Sequence, residues 1–105
     1  MRLLSRLAPM LLLTAALAAQ GSINFTCSDQ SGSQTKLVID LNHNASGVAD
    51  VWVDGVKLNG DQWSSNINGT KVTITFTNPP AKDKNVTVKI NYTGSEPTVQ
   101  GHTWS

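Results

Sequence analysis

One cysteine, Cys27, stands among the 105 residues. A lone thiol excludes the internal disulfide framework that staples many small exported domains, so stability has to come from packing. Two histidines, His43 and His102, are the only imidazoles. They show no zinc spacing, no Gly-x-Ser-x-Gly elbow accompanies them, and one cysteine cannot complete a metal set. The catalytic, metal and cofactor expectation is therefore none. Basic charge is equally thin. Lys36, Lys57, Lys71, Lys82, Lys84 and Lys89 are scattered among acids, which leaves no footprint for nucleic acid.

The chain also lacks an apolar run of the roughly 20 residues needed to cross a bilayer as a helix. The longest, Leu11-Leu12-Leu13-Thr14-Ala15-Ala16-Leu17, follows Arg2 and Arg6 and runs into Ala18-Ala19. That pattern predicts a cleaved secretory signal peptide over residues 1–20, with cutting after Ala18 or Ala19 and an extracellular, membrane-free mature protein. Without the two arginines, six lysines face seven acids, a net charge of −1. About 85 residues remain, enough for one core.

Period-2 alternation of apolar and polar residues recurs along the mature part, and no window shows a 3.6-residue stripe. The fold class is all-β. Strands are expected at 22–27, 35–41, 48–53, 56–59, 61–67, 70–77 and 85–93, about seven in all, forming a sandwich. The domain spans 21–94, and 95–105 is a tail that either adds a short final strand or hangs loosely. Asp54-Gly55 and Asn68-Gly69 both suit a type I′ hairpin. A two-residue Asn68-Gly69 loop pairs Ile67 with Thr70, Ser65 with Val72 and Trp63 with Ile74. Residues 78–84, with Pro79 and Pro80, form a loop, as does the polar stretch 28–35.

Asp40, Asn42, Asn44 and Ser46 imitate the start of a calcium loop. Ala45 stands where the turn glycine belongs and Val51 where the bidentate glutamate belongs, so an ordinary polar loop is expected. Cys27 alternates in phase with Ile23 and Phe25, which favours a buried thiol over a functional disulfide. If exposed, it would link a dimer; otherwise the chain is a monomer.

Five N-x-S/T sequons occur, at Asn24, Asn44, Asn68, Asn85 and Asn91. Nine asparagines in a chain one-fifth serine and threonine give roughly two such matches by chance, so the excess points either to N-glycosylation or to a bare polar β surface. Asn85, Thr87, Asn91 and Thr93 occupy the outer side of one strand, and the strand carrying Lys71, Thr73, Thr75 and Thr77 is expected beside it. Val51 and Val53 point inward and leave Trp52 outward with Asp50, unless a bulge turns the indole into the core. The candidate ligand-binding residues are Trp52, Asp50, Thr73, Thr75 and Thr87. Trp63 is expected in the core.

Val51, Val53, Gly55, Leu58, Trp63, Gly69, Thr70, Val72, Ile74, Pro80, Val86, Val88 and Tyr92 form a series in which a V-x-V-x-G-x-x-L hairpin precedes an aromatic strand, a G-T-x-V-T-I strand, a proline turn and a V-x-V-x-Y strand. That series resembles the small immunoglobulin-like β-sandwich modules of secreted adhesive and carbohydrate-active proteins. The resemblance implies an immunoglobulin-like antiparallel sandwich and carries over no binding residue. The expected function is non-catalytic binding of cell-surface or cell-wall polysaccharide; the alternative is a small secreted glycoprotein or effector acting on a cell-surface protein.

Overall fold

A computed structural model describes residues 18–27 and 35–105. The core of the expected leader and the polar loop after Cys27 lie outside the described residues. Eight strands are present: β1 (Ala18–Thr26), β2 (Lys36–Leu41), β3 (Gly47–Val53), β4 (Val56–Lys57), β5 (Trp63–Asn68), β6 (Lys71–Phe76), β7 (Asn85–Thr93) and β8 (Val99–Trp104). β1 begins at Ala18, so the last residues of the expected leader, 18–20, lie in the ladder opposite Asn91–Thr93 of β7.

The strands form two four-stranded antiparallel sheets, ordered β1-β7-β3-β4 and β5-β6-β2-β8. Alternation decides which side of each sheet is dry. On β7, Val86, Val88 and Ile90 are buried while Asn85, Thr87 and Lys89 face out; on β6, Val72, Ile74 and Phe76 are buried between Thr73 and Thr75. Leu37, Ile39 and Leu41 of β2 and Val51 of β3 join them in the layer between the sheets, with Phe25, Cys27, Ala45 and Trp104. Each fully buried branched side chain contributes about 1.5–3 kcal/mol of transfer free energy, which is how a domain with no internal disulfide holds its sandwich.

Both hairpins form, one with a changed register. At β3–β4, Asp54 (φ 50°) and Gly55 (φ 80°) are the central pair, with positive φ at both positions as a type I′ turn requires. At β5–β6 only Gly69 has positive φ, at 64°, and Asn68 stays in the ladder opposite Lys71. The central pair is Gly69-Thr70, the type II′ pattern, so Ile67 faces Val72, Ser65 faces Ile74 and Trp63 faces Phe76. The shift is two residues, an even number, and every side chain keeps its expected face.

The expected 56–59 strand is only the two-residue β4, and the expected 61–67 strand starts at Trp63. A turn intervenes, with the Gln62 N–H donating to the Asn59 carbonyl at 3.0 Å and the Asn59 N–H to Gln62 Oε1 at 2.7 Å. The tail is a true final strand, β8, paired along β2. β6 does not lie beside β7: it sits between β5 and β2 in the other sheet. Cys27 closes β1 against the proline loop, with its N–H donating to Lys84 O and the Asp83 N–H donating to Cys27 O.

Candidate functional site

The outer face of the β1-β7-β3-β4 sheet is laid out in rows. Asn24, Thr87, Trp52 and Lys57 are successive cross-strand partners on β1, β7, β3 and β4. Ser22, Lys89 and Asp50 form the adjacent row, and Gln20, Asn91 and Gly47 the next. Strands lie about 4.8 Å apart, so the first row spans roughly 15 Å, the length of a few sugar rings. Trp52 is half-buried on this face, because a register shift between Val48 and Asp50 comes before it and leaves Val51 and Val53 directed to the core.

Lys89 Nζ lies 5.4 Å from the centroid of the Trp52 ring, a cation–π arrangement. Asp50 faces Lys89 across the ladder, yet its Oδ1 pairs with Lys57 Nζ at 3.3 Å. A hydrogen-bond chain runs along β7 and then across the first row to β1: Asn85 Nδ2 donates to Thr87 Oγ1 at 3.5 Å, and Thr87 Oγ1 donates to Asn24 Oδ1 at 2.7 Å. Farther along the face, Gln20 Nε2 donates to Asn91 Oδ1 at 2.8 Å.

Asp54, at the turn bordering this face, accepts the Asn85 backbone N–H on Oδ1 at 2.8 Å and pairs through Oδ2 with Lys84 Nζ at 3.1 Å. The backbone hydrogen bond, followed by the lysine, holds its carboxyl below the usual aspartate range.

Of the residues expected to bind, Trp52, Asp50 and Thr87 come together here. Thr73 and Thr75 do not: they lie on the outer side of the other sheet, opposite Val38 and Lys36 of β2. Three sequon asparagines, Asn24, Asn85 and Asn91, share the Trp52 face, whereas Asn44 lies in the loop before β3 and Asn68 ends β5. Sequence reasoning overlooked Lys89 and Lys57 as neighbours of Trp52. The outward phase of Lys89 in β7 was a usable signal, but the pairing of β7 with β3 that gives it meaning is not local.

The calcium-like series does not converge. Asp40 Oδ1 pairs with Lys71 Nζ at 3.6 Å and Asn42 Oδ1 accepts the Thr98 N–H at 2.7 Å, so the oxygens turn to separate partners. Among the described residues no three His, Cys, Asp or Glu side chains cluster as a metal set. His102 packs edge-on against Phe25, centroids 5.0 Å apart, while His43 lies in the loop between β2 and β3. Cys27 is 1% exposed and its Sγ approaches the Pro80 carbonyl at 3.6 Å, the buried thiol expected; linking a dimer through it requires that end of β1 to open.

On the side where β1 and β8 approach, a cleft of about 270 Å³ is walled by Ile23, Ile90, Tyr92, Pro97 and Val99, with the Glu96 carboxylate at its lining. Its polar side chains are Ser22, Tyr92, Glu96 and Thr98. The Trp52 face is the stronger candidate because it brings together three of the residues expected to bind, Trp52, Asp50 and Thr87. The chain matches no protein-family model, no curated protein and no solved structure.

Proposed function

We propose that this is a secreted, non-catalytic module that binds cell-surface or cell-wall polysaccharide on the outer face of β1-β7-β3-β4. One observation carries the reading: a half-buried indole, Trp52, stands in one cross-strand row with Asn24, Thr87 and Lys57, giving an apolar platform flanked by hydrogen-bonding groups. Sugar rings stack their C–H faces on such platforms while their hydroxyls meet the polar rim. Secretion is supported by the charged and apolar leader and its small-residue end.

The immunoglobulin-like reading of the sandwich is supported by its centre: β5-β6-β2 and β4-β3-β7 follow the order of the central strands of that fold. The edges depart from it. An immunoglobulin domain sets its first strand beside its second, whereas here β1 lies beside β7 and β8 beside β2.

The test is Trp52→Ala in affinity gel electrophoresis against a panel of wall polysaccharides. Retention should fall at least about tenfold, the scale of a central aromatic anchor, with the thermal transition nearly unchanged. Collapse of the thermal transition would instead make Trp52 a structural residue and remove the reading.

A second reading, a secreted glycoprotein that acts by protein contact, is favoured by the three sequons on that same face. The intact mass of the protein from its own host, before and after deglycosylation, separates the two: hexose-rich mass on Asn24, Asn85 or Asn91 covers the Trp52 row.

A further inference from the structure

On and beside the Trp52 face the carboxylates have lysine partners, whereas Lys89 has no carboxylate partner among the described residues. Asp50 is taken by Lys57, and Asp54 by Lys84 and the Asn85 N–H. The chain from Asn85 through Thr87 ends on Asn24 Oδ1, so the Asn24 carbonyl is used and its Nδ2 remains a donor. Lys89 has no carboxylate within 4 Å among the described residues and rests on the Trp52 ring.

Any sugar that stacks on Trp52 from that side has to displace the Lys89 ammonium. A neutral sugar loses the cation–π contact and offers only hydroxyls in return. A sugar bearing a carboxylate gives the displaced ammonium a charge-assisted partner beside the ring it has just left, and Asn24 Nδ2 supplies a second donor along the row.

We infer that the Trp52 face selects uronate-bearing, anionic polysaccharide, with Trp52 as the stacking platform and Lys89 as the residue that reads the carboxylate. The inference rests on the polysaccharide-binding reading above and adds the charge class of the ligand. Lys57, neutralised by Asp50 at 3.3 Å, is a secondary contributor.

The experiment uses the mature chain made in a host that adds no N-glycans, with sodium polygalacturonate and its methyl ester as the two polymers. Ring and linkage are the same in both, and the ester replaces each carboxylate with a neutral methyl ester. Wild type is expected to favour the acid form by about tenfold at low salt, with the preference shrinking as ionic strength rises. Lys89→Gln should reduce the preference below about threefold by weakening retention of the acid form while the ester is held at least as well as by wild type, a split that loss of folding would not produce.

Equal retention of the two polymers, or an unchanged preference in Lys89→Gln, overturns the inference. If neutral glucans are held through Trp52 while polygalacturonate is not, charge selection falls and polysaccharide binding stands. If the panel and both pectic polymers pass unretained, both fall.

Discussion

Asp54 serves the β3–β4 turn twice, through a backbone at φ 50° and through a carboxylate that accepts the Asn85 N–H and pairs with Lys84. Its pKa is depressed in the folded protein, so the stabilisation it gives is complete above the ordinary aspartate value of about 3.9 and is lost as pH falls through the lower folded value. Asn tolerates the same positive φ, so Asp54→Asn isolates the charge. In thermal melts the wild type should unfold at a higher temperature than Asp54→Asn near neutral pH, and the gap should close as pH is taken below about 3.9. A gap independent of pH would show that the carboxylate's partners do not matter. The turn itself is legible in Asp54-Gly55. Its carboxylate's partners are not, because Lys84 and Asn85 are brought in by a strand pairing some thirty residues away along the chain. Trp52 is half legible for the same reason: alternation places it outward, and only the β3–β7 ladder supplies Thr87 and Lys89 around it.

β8 is the element least visible in the sequence, since Val99-Gln100-Gly101-His102-Thr103 lacks a clean alternation. It forms because the free edge of β2 offers a ladder and because Trp104, 7% exposed, stacks on Phe76 with centroids 6.1 Å apart. The docking has a flaw: the buried Trp104 Nε1–H finds no hydrogen-bond partner among the described residues. An orphaned donor costs about 1–3 kcal/mol, so Trp104→Phe should lose ring volume and regain part of that cost, ending within about 1 kcal/mol of wild type. Trp104→Ala should cost about 3–5 kcal/mol, as large-to-small core changes do. Denaturant unfolding of the two variants checks the contrast; equal losses would mean that the N–H is satisfied in solution. The expected threonine array failed at this scale as well. A period of two says which side of a strand faces out but not which sheet the strand joins, and Thr73 and Thr75 lie in the other sheet from Thr87. The β5–β6 register failed more mildly, because Asn68-Gly69 and Gly69-Thr70 are both acceptable turn pairs and the ladder chose between them.

For the molecule as a whole, the all-β class, the layer of buried residues and the single core could all be read from composition and alternation, because burial on one side of each strand is a local signal. Sheet membership could not, since it depends on which distant edge each strand finds. The buried Cys27 is a probe of the assembled whole. A thiol reagent should leave it unmodified in native buffer and label it in denaturant, and non-reducing electrophoresis should give a single monomer band. Rapid native labelling or a reducible dimer would show that the end of β1 opens. The β1–β7 pairing also has a kinetic meaning. Its partners are separated by 59 to 75 residues along the chain, so β1 has nothing to pair with in its sheet until β7 has been made. Closing contacts of such long sequence separation is slow. β1 is thus synthesised long before it can fold, and the sandwich can close only when β7 has followed it.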